Sequence, residues 1–381
     1  MRIPILAVTL CFLCLYSNAQ RTQTTSNLLI GYQEFPTTVY SHATDSSGNQ
    51  YFTGFFRGQL TINNKAIATG NGLEDVFWVK TDASGKLLKY NTFGSANSES
   101  SFPDALAITN DNHMLFGFSF QQQMSIGGFV INPYSDNSHS ASSSCLAYTD
   151  TAGSISWVKR INLSSFKVFY ANNIFHVIGS TFLNRPAVKV EDSVVVDSSG
   201  QNRIVHLMFD KAGKLLGAKT ISTRKNGNSV YMVNFGFFSD NSLLIHLSVN
   251  SDSSFLLNNH TVPLPNTNAG YMVLIKTDTA YTHFNTKVVN PQRQAMYNLS
   301  LNTFPLCVGP GDLLYSVISY ESTSLLQLDG FTLPAQSNTF AVFDSSLVLR
   351  RTVELGVSRV GTYAMNTYKR RVFIKSMIYL G

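Results

Sequence analysis

The chain has 381 residues, a formal net charge of +6 and only 13% charged residues, with no Lys/Arg tract of the kind that grips nucleic acid. Hydrophobic residues make up 44%, including 27 Phe and 17 Tyr, which is enough for one large domain and little else. No amphipathic helical period of useful length runs through it, and past the N-terminus no apolar stretch is long enough to span a membrane, so a helical fold and a membrane-spanning helix are both excluded.

Residues 1–19 read as a secretory signal peptide. Arg2 precedes an apolar run from Ile5 to Tyr16, and Ser17-Asn18-Ala19 offers small residues before a cleavage point at Gln20. The expected location is therefore outside the cytoplasm: secreted, at the cell surface or in the periplasm. Asn27–Glu34 is predicted as an outer strand.

From residue 39 onward a strand-turn-strand unit recurs. Unit one (39–94) contains the strand Tyr51-Phe52-Thr53-Gly54-Phe55, then Val76-Phe77-Trp78-Val79, the turn Asp82-Ala83-Ser84-Gly85, and a strand through Leu87, Leu88 and Tyr90. Unit two (102–160) carries Met114–Phe118 and a Gln/Ser/Asn-rich segment, 121–143, read as a variable loop. Unit three (165–220) carries His176–Ser180. Unit four (229–285) carries Leu243–Leu247 and a second variable loop, 250–270. Unit five (296–353) carries Leu313–Val317. Residues 361–381, with Val372–Ser376, read as the first two strands of a sixth unit.

Two columns define the register. The turn Asp recurs at 82, 150, 210, 278 and 344, at intervals of 68, 60, 68 and 66 residues. Gly follows three places later at 85, 153 and 213, but Tyr281 and Leu347 stand there in the last two copies. A D-x-x-G turn has a local logic, since Asp accepts backbone hydrogen bonds from residues just ahead and Gly takes positive φ. The second column, inside a strand, reads Gly54, Gly117, Gly179, His246, Ser316 and Lys375. Gly within a strand marks close backbone approach.

Repeats of this length, all strand and turn, predict a single all-β domain over 20–381: a β-propeller of about six four-stranded blades. The N-terminal strand is expected to pair with the C-terminal hairpin and close the ring, which removes exposed sheet edges.

The units resemble the SBBP-type β-propeller repeat family of exported bacterial proteins. The matching residues are Asp45-Ser46-Ser47-Gly48-Asn49, Tyr51-Phe52-Thr53-Gly54, Phe56-Arg57-Gly58 and Asp75–Gly85. The leader ending in Ala19-Gln20 is similar to those of Bacteroidota. The resemblance implies a fold and export, and brings no reaction or catalytic residue.

Chemistry-bearing residues are scattered. The repeated Asp residues read as turn caps, because neither turn supplies the alternating oxygens and terminal Glu of an EF-hand-like calcium loop. His176, His206 and His246 lie on strands of adjacent units and could approach one another, but no pair has metal-ligand spacing, so neither metal nor cofactor is expected. No G-x-S-x-G elbow or phosphate-binding loop is present, and no catalytic residue is nominated. Cys145 and Cys307 read as buried free thiols on non-adjacent units. Two readings of His246, Ser316 and Lys375 stay open: a ligand-binding polar patch on one side of the channel, or divergence of the later blades. Tyr134, Phe166, Tyr281 and Tyr297 are candidate exposed aromatics for stacking on sugars. The functional expectation is a monomeric, non-enzymatic exported module that binds an envelope protein or glycan through its loop face. The alternative is an exported glycosidase or lyase acting on polysaccharide.

Overall fold

The computed structural model describes residues 37–376, apart from 64, 71–73, 95–104, 135–142, 182–186, 198–202, 224–228, 252–253, 259, 265–268, 290–305, 321–325, 334–336, 355–362 and 369–370. The expected leader and the 27–34 strand lie outside these residues, as does Tyr297.

Each blade contributes six strands in sequence. Blade 1 comprises β1 (Thr37–Thr44), β2 (Gln50–Phe56), β3 (Gln59–Ile62), β4 (Lys65–Thr69), β5 (Asp75–Thr81) and β6 (Leu87–Phe93). Blade 2 comprises β7 (Ala105–Ile108), β8 (Met114–Phe120), β9 (Met124–Ile126), β10 (Phe129–Ile131), β11 (Ser143–Thr149) and β12 (Ile155–Ile161). Blade 3 comprises β13 (Leu163–Ala171), β14 (Ile174–Thr181), β15 (Ala187–Val190), β16 (Ser193–Asp197), β17 (Arg203–Phe209) and β18 (Leu215–Thr223). Blade 4 comprises β19 (Ser229–Phe237), β20 (Leu243–Ser251), β21 (Ser254–Leu257), β22 (His260–Pro263), β23 (Ala269–Thr277) and β24 (Phe284–Val289). Blade 5 comprises β25 (Leu306–Val308), β26 (Leu314–Tyr320), β27 (Leu326–Leu328), β28 (Phe331–Leu333), β29 (Ser337–Phe343) and β30 (Leu349–Glu354). A final hairpin, β31 (Tyr363–Tyr368) and β32 (Arg371–Ser376), follows.

In every blade the first, second, fifth and sixth strands form an antiparallel four-stranded sheet, in the order β1-β2-β5-β6 and its equivalents. The first strands touch in succession, β1 with β7, β7 with β13, β13 with β19 and β19 with β25. This is a β-propeller arrangement, with five four-stranded blades and one two-stranded hairpin among the described residues rather than about six full blades. β31 touches both β25 and β1.

The middle two strands explain why the hydrophobic runs are continuous rather than alternating. β8 and β11 are buried at every position, because each lies between two neighbouring blades and both its faces are covered. Phe116, Phe118 and Phe120 are fully buried, and their rings follow one another at centroid distances of 6.2 and 6.5 Å. Each such side chain contributes about 1.5–3 kcal/mol of burial.

The remaining two strands of each blade form an inserted hairpin between the second and third strands of the four-stranded sheet. The expected loops 121–143 and 250–270 therefore contain the hairpins β9–β10 and β21–β22. Polar composition hid them, because only one strand of each hairpin is buried. Two insertions join the preceding blade: β15 pairs with β12, and β21 pairs with β18, so each extends that sheet to six strands. The tips of the β21–β22 and β3–β4 hairpins also bond to the turn of their own blade. Asn258 Nδ2 donates to the Tyr281 carbonyl (2.9 Å), and Asn63 Nδ2 to that of Gly85 (3.4 Å).

Candidate functional site: the blade junctions, the buried histidines and the outer hairpins

The turn aspartates are occupied by their own turns. Asp82 Oδ1 accepts from the backbone N–H of Ser84 and Lys86, at 2.9 and 3.0 Å. Asp344 does the same with Ser346 and Val348, at 2.9 and 3.0 Å. Asp150, Asp210 and Asp278 accept the N–H four residues on, each at 2.8 Å. Asp45 Oδ1 takes the N–H of Ser47 and Asn49, and its Oδ2 takes Asn49 Nδ2 and the Tyr51 hydroxyl. Hydrogen bonding from Thr282 holds the Asp278 carboxyl down at about 2.

The residue three places after the turn Asp meets the blade before it. A Cβ on Gly153, at φ +78°, would lie 2.5 Å from the Trp78 ring, and one on Gly213, at φ +79°, 2.9 Å from the Trp157 ring. Tyr281 (φ 62°) and Leu347 (φ 63°) hold the same left-handed backbone without Gly. The partner column, four residues before each turn Asp, reads Trp78, Leu146, His206, Leu274 and Phe340. Trp78 therefore faces a Gly, His206 faces Tyr281, and Leu274 shares a buried cluster with Leu347. Where Gly is lost, His206 and Leu274 stand in the column in place of a tryptophan, and at the blade 2–3 junction the ring over Gly213 is Trp157 of the fourth strand rather than Leu146. The signal was in the sequence, but only if each turn is aligned with the blade before it.

At the junction of blades 3 and 4 this pairing becomes polar. His176 on β14 and His206 on β17 are diagonal neighbours, since His176 pairs with Met208 in the ladder. Their nitrogens, His176 Nδ1 and His206 Nε2, are 2.9 Å apart, and the Tyr281 hydroxyl lies 2.6 Å from His206 Nδ1. All three side chains are buried. Phe237 of blade 4 covers His176 at 4.4 Å. Burial pulls His206 down to about 3, with His176 and Lys219 adding to the effect, and pulls His176 down to about 4. Burial pushes the Tyr281 hydroxyl well above its usual range. The group is neutral at physiological pH.

His246, the third expected partner, lies on β20, where it pairs with Asn234 and Leu274. It is buried, and desolvation lowers it to about 3. Ser316 on β26 is also fully buried, and its hydroxyl has no hydrogen-bond partner among the described residues. Lys375 lies on β32 opposite Ala364, and its side chain is outside the described residues. These three stand on the second strands of blades 4 and 5 and of the terminal hairpin. His246 and Ser316 are sealed from solvent. The Gly residues of that column are required by crowding: a Cβ on Gly54 would lie 2.0 Å from the Thr38 carbonyl, and one on Gly117 2.4 Å from the Phe166 ring.

Three of the four expected exposed aromatics are buried, and the fourth, Tyr297, lies outside the described residues. Tyr134, Phe166 and Tyr281 are 7%, 3% and 2% exposed, too little for sugar stacking. Tyr134 is a joint. Its hydroxyl donates to the Glu191 carbonyl (2.5 Å) and the Arg160 carbonyl (3.2 Å), and the Arg160 guanidinium covers its ring at 4.1 Å. Arg160 also pairs with Asp192 at 2.5 Å. One side chain from blade 2 thus ties its fourth strand to the insertion of blade 3. Cys145 is a free, buried thiol whose pKa desolvation raises well above the usual value, while the Cys307 side chain lies outside the described residues.

Exposed apolar side chains sit instead on first and fourth blade strands, as Phe169 on β13, Leu88 and Tyr90 on β6, Leu216 on β18 and Val353 on β30, and on the outer hairpin strands of blades 2 and 3. Phe129 and Val130 on β10 are 38% and 62% exposed, and Val194 on β16 is 57% exposed. Among the described residues β10 pairs only with β9, and β16 is the edge of its six-stranded sheet. Among the described residues no helix is long and apolar enough to cross a membrane, and no cluster of three or more His, Cys, Asp or Glu is placed to hold a metal ion.

Neither a protein-family model nor a curated protein matches the chain, so the SBBP-type resemblance has no family match behind it. Among solved structures, a point mutant of ACO, the Synechocystis apocarotenoid oxygenase, is similar at 12% identity and a TM-score of 0.44, covering 85% of this chain and 63% of that one. A second is the cobalt-substituted Synechocystis ACO, at 12% identity and a TM-score of 0.39, again covering 85% of this chain and 63% of that one. The β-propeller domain of the Trilobed protease from Pyrococcus furiosus is similar at 7% identity and a TM-score of 0.39, covering 92% of each chain. The chain spans less than two thirds of the length of the oxygenase structures, and at these scores the likenesses carry no assignment of chemistry.

Proposed function

We propose that the protein is an exported, non-enzymatic β-propeller that binds an envelope protein or glycan, with the outer hairpins of blades 2 and 3 as its contact surface. The observation that carries this reading is the placement of Phe129, Val130 and Val194. They are exposed apolar residues on edge strands, where a partner can add backbone hydrogen bonds and cover the side chains. The described imidazoles at the blade 3–4 junction and the turn carboxylates are, by contrast, engaged in packing and capping. Export rests on the leader-like residues 1–19, and the SBBP-type resemblance points the same way. The mature chain, residues 20–381, acts as a monomer in this reading.

The ring is proposed to have six blades. β31–β32 supply the first half of the sixth, between β25 and β1, and the 27–34 segment takes its fourth-strand place.

The test is a Val130→Lys/Val194→Lys variant of the mature chain. Both positions are exposed, so the melting temperature should stay within a degree or two, since surface substitutions fall within about 0.5 kcal/mol. Retention on immobilised envelope extract and on an oligosaccharide panel should be lost. Undiminished retention would discard the hairpin surface, and turnover of any oligosaccharide in the panel would replace the binding reading with an enzymatic one.

A further inference from the structure

Among the described junctions, the contact between blades 3 and 4 is unlike its neighbours. Blades 1 and 2 meet through Trp78 and Gly153, blades 2 and 3 through Trp157 and Gly213, and Leu274 of blade 4, the ladder partner of the buried His246, shares an apolar cluster with Leu347 of blade 5. Blades 3 and 4 meet through a hydrogen-bonded file of rings, His176, His206 and Tyr281, with ring centroids 5.1 and 5.9 Å apart. We propose that this junction is an acid-sensitive seam: a proton taken up by the His176–His206 pair loosens blade 3 from blade 4 before the other junctions open.

The hydrogen bonds leave the extra proton no solvated place. The hydrogens of the neutral file run in one of two senses. With His176 Nδ1–H donating to His206 Nε2 and His206 Nδ1–H to the tyrosine oxygen, the proton falls on His176 Nε2, buried beside Phe237. In the other sense the Tyr281 hydroxyl donates to His206 Nδ1 and His206 Nε2–H to His176 Nδ1. Protonating His176 at Nδ1 sets two N–H groups against each other across 2.9 Å. Protonating His206 at Nδ1 sets an N–H against the tyrosine hydrogen, which must swing away into an apolar surround. A proton on His206 breaks the link that joins the two blades, because Tyr281 belongs to the turn of blade 4, and one on His176 leaves an imidazolium against Phe237 of blade 4.

The surroundings supply no counter-charge. The charged and titratable groups facing the file are Lys219 from β18, and Tyr281 and Asp278 from the turn of blade 4. Lys219 repels an imidazolium. Its ammonium donates to the Thr279 carbonyl at 3.0 Å and stands 5.8 Å from the centre of the Tyr281 ring. Asp278 caps its own turn through Thr282 and makes no contact with either imidazole among the described residues. From the first strand of blade 4 come Phe235 and Phe237, which are buried. Desolvation lowers both histidines, in keeping with a pair that rejects the proton while the seam is closed.

The experiment is hydrogen–deuterium exchange on the mature chain, residues 20–381, at pH 7 and pH 5, corrected for intrinsic exchange. If the opened seam takes up one proton at an ordinary histidine, its opening equilibrium should rise about 30-fold between neutral pH and pH 5. Peptides covering β14, β17 and the 278–284 turn should lose protection by that factor, while those covering β5 and β12 should not. Two variants restore an apolar junction. Both replace His176 by Leu, the residue that blades 4 and 5 carry there as Leu243 and Leu313. His176→Leu/His206→Trp/Tyr281→Gly copies the Trp78–Gly153 contact, and His176→Leu/His206→Leu places at 206 the residue that blades 2 and 4 carry in that column. The pH-dependent loss should disappear in whichever of them folds. Equal loss at all junctions, or a seam-specific loss that persists in either variant, would overturn the proposal.

Discussion

A glycine in this molecule is held by two demands that separate cleanly. Gly213 takes φ +79°, and a Cβ there would lie 2.9 Å from the Trp157 ring, which is anchored because its indole N–H donates to the Lys211 carbonyl at 2.9 Å. Gly330 takes φ +81° with nothing within 4 Å. Gly330→Ala should therefore cost only the backbone penalty, about 1 kcal/mol, whereas Gly213→Ala should cost roughly 1–3 kcal/mol more from overpacking. Urea unfolding midpoints of the two variants check this. Equal costs would mean that Trp157 moves aside freely. The conformational demand of D-x-x-G was readable in the sequence, and the steric demand was not, because the residue that imposes it sits 56 positions away in another blade.

The insertion hairpins are the elements that composition concealed. Their strands are three to five residues long, and the outer ones of blades 1 and 4 present polar or small side chains such as Lys65, Ala66, His260 and Thr261. Such segments are too short for a period-2 pattern to stand out. What makes them strands is the partner they find, as with β15 on β12 and β21 on β18. Tyr134 reinforces one of these contacts, and burial pushes its hydroxyl upward in pKa. Tyr134→Phe removes the donor to the Glu191 and Arg160 carbonyls while keeping the ring under the Arg160 guanidinium. It should cost about 1–2 kcal/mol. The loss should show as faster amide exchange in 187–197 with little change in blade 5. A uniform change across the chain would show that the residue acts on global stability instead.

At the scale of the whole molecule, stability depends on keeping buried imidazoles neutral. His176, His206 and His246 lie at about 4, 3 and 3 in the fold, against an ordinary histidine value of 6.5. A pKa depressed by folding means that the unfolded chain binds the proton more readily. The contribution is complete above the unfolded value of about 6.5 and is lost as pH falls from there toward the folded values. Each histidine then costs about 2 kcal/mol at pH 5 relative to neutral pH. His246→Leu should remove about one such step, so its stability should fall less steeply between pH 7 and pH 5 than that of the parent chain. Identical slopes would show that His246 takes up no proton on unfolding in that range. Exposed ion pairs such as Lys211–Asp111, at 2.9 Å, contribute little, because solvent screens them.

The repeat period, the turn aspartates and the continuous apolar runs of the middle strands determined, without any coordinates, that the chain is all-β and built as a propeller. Those signals are local: a capped turn, a positive φ and a strand buried on both faces leave their mark within a dozen residues. Tertiary structure alone decided which side chains meet between blades. It set Trp78 against Gly153, drew His176 and His206 together while leaving His246 on another strand, and buried the tyrosines that looked exposed. It also decided that polar segments become hairpins on a neighbour's edge. The contacts that Gly153, Gly213, Tyr281 and Leu347 make between blades join residues 56 to 75 positions apart, and the register that aligns them comes from the packing of successive sheets, which no single repeat encodes.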